Sequence, residues 1–171
     1  LYDMWNRPGL YGHTFPESAE LTMKISDAIT TTHEYLAEDI RTVAPDADIT
    51  LVPNALNLQL DQWDTYKMMS FGPVRIGWSG SQYHEEDIEI LRPVFRKLYS
   101  KAKYKGKFEV HLAGYQKMDV WDRFVKIFKG GKLNPDNFYL HNVKDINTYG
   151  TLYENFDISL IPLADNHFNA S

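Results

Sequence analysis

Val74-Arg75-Ile76-Gly77-Trp78-Ser79-Gly80-Ser81, followed by His84-Glu85-Glu86-Asp87, carries an apolar strand into a glycine- and serine-rich turn and then into a helix. That order sets free backbone N–H groups beside a helix N-terminus, where a phosphate can be held. Glycine pairs also occur in plain strand-to-helix bends, so the turn alone fits both a ligand loop and a simple connection. The pattern on either side has to separate the two.

Downstream the alternation is regular. Val74 to Trp78 reads as a strand, and Glu85 to Ala102 as a helix with Ile88, Leu91, Val94, Phe95 and Leu98 at the three-and-four spacing of a buried stripe. Phe108 to Leu112 is a strand ending at Ala113-Gly114. Val120 to Phe128 is a helix carrying Val120, Phe124, Val125 and Phe128, ended by Gly130-Gly131. Phe138 to Val143, a helix over Ile146 to Phe156, and a strand over Ile158 to Pro162 complete the run. Strands alternating with helices of this length imply crossovers and a mainly parallel sheet covered on both faces. The expected class is therefore α/β, a Rossmann-like layer.

Upstream, Asn6 to Pro16 is a Gly-, Pro- and aromatic-rich loop, Glu17 to Ser26 a short helix, and Asp27 to Thr32 a β-branched strand. Glu34 to Val43 is a helix ending before Pro45, and Ile49 to Asn54 a strand stopped by a Pro-Asn turn. Ala55 to Gly72 has no clean period and carries Trp63, Tyr66, Met68, Met69 and Phe71, which suits a connecting segment packed on a surface.

The 171 residues are 43% hydrophobic, enough for one domain or one domain plus part of another. A net charge of -5 and a pI near 5.6 argue against a nucleic-acid binder, whose affinity rests on Lys and Arg neutralising phosphates. The densest basic run, Arg96 to Lys107, reads first as a solvated face and second as a weak peripheral membrane contact. Cysteine is absent, which excludes disulfides and thiolate metal sites and fits a cytoplasmic protein, with the inner face of the membrane as an alternative location. No signal peptide opens the chain and no stretch is apolar enough to span a bilayer. The first residue is not Met and the last lies in a polar turn, so a fragment is expected.

In an open parallel sheet, ligands bind outside the carboxyl ends of the strands. The bends there give the candidate residues: Gly77, Trp78, Ser79, Gly80, Ser81 and His84 after the first strand; Gly114 and Tyr115 after the second; Asn142 and Val143 after the third; Asp165, Asn166, Phe168 and Asn169 after the last. Lys117 and Lys144 are almost the only cationic side chains among them. Each has a plainer reading as well, His84 as an ordinary first-turn residue and the final polar loop as a helix N-cap. His84, Glu85 and Glu86 do not form a metal site, because adjacent helical positions face different ways. Asp46-Ala47-Asp48 precedes a strand, so it sits at the wrong end of a sheet to hold a metal and nucleotide and reads as a loop. No Ser/His/Asp order, HExxH, Walker loop or full GxGxxG fingerprint is present.

Taken in order, Ser26 to Thr32 with Val52-Pro53-Asn54-Ala55, Ile76 to Ser81 with His84 and Asp87, His111-Leu112-Ala113-Gly114, and Asp157 to Leu163 with Asn166 and Phe168-Asn169 resemble the nucleotide-sugar glycosyltransferases of the two-Rossmann-domain (GT-B) fold. The likeness is greatest to their large retaining family, group 1, of cell-wall, capsule and glycan synthesis. By that resemblance residues 1–54 end the acceptor-side domain, 55–72 link the domains and 73–171 form the donor-side domain, incomplete at its C-terminus. The resemblance implies that the Gly77–Ser81 turn meets the donor diphosphate, the loop at Asn142 and Val143 meets the base, and Asp165 to Asn169 meets the sugar and phosphates.

It further implies transfer from a nucleoside diphosphate sugar to a carbohydrate, lipid-linked or protein acceptor, with retention of configuration and no metal or other cofactor. The chain departs from the family where an Arg shortly after the glycine turn, and a Lys a few residues on, would neutralise the diphosphate: Trp78 to His84 and acids stand there instead. The paired glutamates of the family are expected beyond Ser171, so catalytic residues are not assigned and the isolated chain is expected to be inactive. A non-catalytic nucleotide-binding module and a sugar-nucleotide epimerase of the same fold remain the alternatives.

Overall fold

The structure, a computed structural model, describes residues 15–63, 71–165 and 169. Residues 6–14 of the loop expected over 6–16, the side chains of Tyr66, Met68 and Met69, and the candidate residues Asn166 and Phe168 lie outside the described residues, while Phe15 and Pro16, expected in that loop, open the first helix. The chain divides into two compact units, Leu1–Leu56 with Asp165–Ser171, and Asn57–Ala164.

In the first unit the order is α1 (Phe15–Ile25), β1 (Ile29–Thr31), α2 (Glu34–Val43) and β2 (Ile49–Leu51), with β1 and β2 parallel and Ile29 opposite Ile49. His33 caps α2, its Nδ1 accepting from the Tyr35 N–H at 3.3 Å. Ala37 and Ile40 are the buried residues of α2. Asp46-Ala47-Asp48 precedes β2 as a turn, and the Asp48 carbonyl accepts from the Ile29 N–H.

The second unit holds β3 (Val74–Ser79), α3 (Glu85–Glu89), α4 (Arg92–Ser100), β4 (Phe108–Tyr115), α5 (Asp119–Phe128), β5 (Phe138–Asn142) and β6 (Ile158–Ser159), with 3-10 turns at Asp61–Trp63, Ala102–Tyr104 and Tyr149–Asn155. The four strands run parallel in the order β5-β4-β3-β6. β4 is buried along most of its length, as a central parallel strand covered on both faces must be. The α/β class with a four-stranded parallel sheet is therefore observed, an arrangement compatible with a Rossmann-like layer.

The two faces are covered differently. Over one lie α3, α4 and α5, where Ile88, Phe95, Trp121, Phe124 and Phe128 close on Trp78, Val110 and Leu112. Trp78 meets Phe124 edge-on at 5.9 Å and lies 6.2 Å from both Trp121 and Phe128. Over the other lies the β5-to-β6 connection, which packs Leu152 and Phe156 against Ala113.

Four expectations change. The helix over 85–102 is broken at Ile90 and Leu91, because Pro93 has no N–H to give the Glu89 carbonyl. The Glu89–Arg92 pair, 2.6 Å between Oε2 and Nε, bridges the break, and Val94, counted in the buried stripe, is exposed. The second strand continues past Leu112 to Tyr115, its pairing with β5 shifting between Ala113 and Tyr115 where Gly114 takes φ +97°. In α5 the inward residues are Trp121 and Ile127 with Phe124 and Phe128, while Val120 and Val125 are only half-buried.

The fourth change is the α-helix expected over 146–156, which is a 3-10 turn. In an α-helix the Gly150 N–H would bond the Ile146 carbonyl. Here the buried side-chain amide of Gln62 stands between them: Nε2 donates to the Ile146 carbonyl at 2.8 Å and Oε1 accepts from the Gly150 N–H at 2.7 Å. Residues 57–63, expected as part of a link, thus pack within the second unit.

Candidate functional site

Because all four strands are parallel, their carboxyl ends share one rim, and the bends after β3, β4, β5 and β6 gather there. Counted from β3, the spatial order is third, second, first, fourth, so the direction of winding reverses between β3 and β6. Such a reversal opens a crevice between the two outgoing loops, the usual ligand position in open parallel sheets.

The two outgoing loops are fastened by one buried carboxylate. Asp87, 4% exposed, receives the Ala164 N–H on Oδ1 at 2.7 Å and faces His84 Nδ1 with Oδ2 at 2.8 Å. The loop after β6 is thereby tied to α3 and the loop after β3. A carboxylate oxygen accepts, so the network assigns the hydrogen between them to Nδ1. Nε2 makes no hydrogen bond among the described residues, and the ring, held against the Trp78 indole at 5.8 Å, is 36% exposed. The His84 ring is thus held by Asp87 at one nitrogen and by the Trp78 ring beside it.

The remaining candidates take varied places. Gly77 lies inside β3, away from the loop: a Cβ there would run into the Phe156 ring, so the glycine serves packing. The Trp78 side chain is core, 4% exposed, and only its backbone is left for a ligand. Ser79 ends β3, its hydroxyl donating to the Tyr149 oxygen at 3.0 Å. At Gly80 a Cβ would meet the Trp78 indole, and at Gly114 it would meet the Gly80 carbonyl; the Gly80 N–H reaches the Ala113 carbonyl at 3.4 Å. The two glycines let the β3 and β4 bends pass against each other. Ser81 is half-buried and makes no hydrogen bond among the described residues.

Tyr115 packs on Trp121 at 5.8 Å, and its carbonyl accepts from the Val143 N–H at 3.1 Å; Asn142 and Val143 end β5 and are exposed. Asp165 and the helical Asn169 belong to the first unit. Lys144 donates to the Thr151 hydroxyl, and Lys117 is exposed. Glu85, Glu86 and Asp87 fill the first turn of α3, with Glu85 paired to Arg123. Acids there already oppose the positive end of the short helix.

A second polar group lies on the sheet face covered by 149–156. Buried His111 meets His141, Nδ1 to Nε2 at 2.9 Å, and Glu109 with its Nε2 at 3.4 Å, while Tyr139 stacks on it at 4.8 Å. Burial lowers both histidine pKa values from the ordinary 6.5; Glu109 acts against this on His111, and Lys144 reinforces it on His141. Arg75 is locked on the same face by Asp157, at 3.0 and 3.2 Å, which raises its pKa. The i, i+2 spacing of Glu109 with His111 and of Tyr139 with His141 marks one strand face each, a signal present in the sequence away from the rim bends.

A cavity of about 480 Å³ bounded by Leu98, Tyr99, Lys101, Phe108 and Asn137 lies at the opposite, amino-terminal edge of β4 and β5, away from the rim loops. Among the described residues no group of three or more His, Asp or Glu side chains is arranged to hold a metal, and no helix is long and apolar enough to cross a membrane. No protein-family model, curated protein or solved structure matches the chain.

Proposed function

We propose that the second unit is the donor-binding part of a GT-B-type glycosyltransferase, holding a nucleoside diphosphate sugar at the β3/β6 crevice for transfer to an acceptor hydroxyl. The observation that carries this is the winding reversal with its two outgoing loops fastened by Asp87. The Ser81 N–H and hydroxyl are the contacts offered to the diphosphate, and His84 Nε2, with the proton on Nδ1, is placed to accept from a sugar hydroxyl. In the reaction the bond from the anomeric carbon to the phosphate oxygen breaks and one to the acceptor oxygen forms. The acceptor loses its proton and the nucleoside diphosphate departs, favoured by donors placed where negative charge grows. No divalent cation enters this scheme. In this reading residues 57–63 are the part of the interdomain link that packs on the donor-side domain.

The acidic first turn of α3 favours a second reading, a nucleotide-binding module without transfer. Calorimetry with UDP and GDP, followed by hydrolysis and transfer assays with their sugar conjugates, separates the readings. Saturable binding that persists in EDTA, with sugar transfer once acceptor-side residues are supplied, is the expected result. Binding without hydrolysis or transfer selects the module, and binding of neither nucleotide refutes both.

A further inference from the structure

Gln62 occupies the 3-10 turn Asp61–Trp63 and is 6% exposed. Its amide takes both the Ile146 carbonyl, at 2.8 Å, and the Gly150 N–H, at 2.7 Å. The insertion depends on Gly150: a Cβ there would stand 2.7 Å from the Gln62 carbonyl oxygen and 2.9 Å from the Trp63 ring. A buried residue that satisfies two backbone groups of another segment, where a glycine makes room for it, is a built contact, and its loss leaves both groups unpaired.

Tyr149 sits between the two clamped groups. Its hydroxyl oxygen accepts from Ser79 at the carboxyl end of β3, and its ring meets Tyr153 at 5.9 Å. The next residue after Ser79 is Gly80, the first of the crevice loop. A continuous set of contacts therefore runs from the segment entering the second unit, through the 3-10 turn, to the rim.

We propose that Gln62 is a positioning residue for the nucleotide site: docking of residues 57–63 holds Tyr149 in place, and Tyr149 holds the end of β3 and its loop. The nucleotide part of this rests on the donor-site reading above; the coupling of Gln62 to the loop does not. Chain entering the unit would thus govern the shape of the crevice without touching the ligand.

Amide hydrogen exchange on the unliganded chain, with UDP and GDP calorimetry beside it, tests the proposal. Gln62→Ala is expected to speed exchange at Gly150 about five- to thirtyfold, to speed exchange across Gly80–His84, and to weaken nucleotide binding about fivefold. Tyr149→Phe keeps the clamp, so it should leave Gly150 protected yet loosen the loop and weaken binding as Gln62→Ala does; it also decides the matter should Gln62→Ala fail to fold. Gln62→Glu keeps the acceptor for Gly150 but loses the donor until its carboxyl is protonated. Its affinity relative to wild type should therefore recover as the pH is lowered. Wild-type exchange at Gly80–His84 and wild-type affinity in Gln62→Ala or Tyr149→Phe overturn the proposal. If the wild-type chain binds neither UDP nor GDP, the donor-site reading fails, and exchange at Gly80–His84 still decides the coupling.

Discussion

On one face of the four-stranded sheet Trp78, Phe95, Trp121, Phe124 and Phe128 meet as an aromatic cluster, with Trp121 Nε1 buried and unbonded among the described residues; on the other, Gly77, Ser79, Glu109, His111 and His141 lie in neighbouring registers beneath Phe156 and Leu152. The first face stabilises by removing large apolar surfaces from water, worth about 1.5–3 kcal/mol for each fully buried side chain. The second stabilises by matching polar partners, where each pair nets about 1 kcal/mol and an unmatched member costs more. The candidate site draws on both. His84 rests on Trp78 from the apolar face, and Ser79 is tied to Tyr149 on the polar face. A stiff layer thus carries a rim whose side chains are held from two sides.

The contrast can be broken most severely on the apolar face. Trp121→Ala, which removes a fully buried indole touching Trp78, Phe124 and Tyr115, is expected to cost about 3–5 kcal/mol in urea unfolding. A loss under 1 kcal/mol would show that the aromatic cluster is not the main source of stability.

Next in size are the points where the polar face allows no extra volume. Gly77→Ala drives a methyl into the Phe156 ring and is expected to cost about 1–3 kcal/mol. Phe156→Leu should relieve part of that cost, so the double variant should lose less than the sum of the singles. Additive losses would mean that the two residues do not press on each other.

Asp87→Ala is expected to cost about 1–3 kcal/mol, because the Ala164 N–H and His84 Nδ1 lose their shared partner. It should also weaken nucleotide binding more than Ser81→Ala does, since it frees two loops at once. The reverse ranking in calorimetry would contradict the fastening role given to Asp87.

The smallest effect is that of pH on the polar face. His111 and His141 hold pKa values below 6.5 when folded, so the unfolded chain binds protons first and stability falls as the pH drops below about 6.5. Arg75 and Lys144 oppose a positive charge there, while Glu109 favours one on His111. His141→Gln should flatten the decline in unfolding free energy between pH 7 and pH 5. An unchanged slope would place the titrating groups elsewhere.

Much of this architecture could be read from residue order. The three-and-four spacing in residues 120–128 and the apolar runs at 74–78 and 108–112 mark the layer, and Gly130-Gly131 marks a helix end with φ of +58° and +79°. What escaped were effects that local pattern does not encode. Pro93 cuts a helix that its apolar stripe carries through, and the amide of Gln62, far away in sequence, turns an amphipathic stretch into a 3-10 turn. The site was legible as a set of bends but not as a set of roles. Gly77 and Gly80, which suggested close approach to phosphate, are bounded by Phe156 and Trp78, while Asp87, one acid among three, fastens the two outgoing loops. Long-range contacts decide such roles, and a single sequence does not display them.

The central claim is that the crevice between the β3 and β6 loops receives a nucleoside diphosphate. Backbone amide shifts recorded while UDP or GDP is titrated into the chain test it residue by residue. The account expects the largest changes at Gly80–His84 and Leu160–Ala164, with little at Leu98–Gly106 on the opposite edge. Changes concentrated at that opposite edge, or none for either nucleotide, would contradict it.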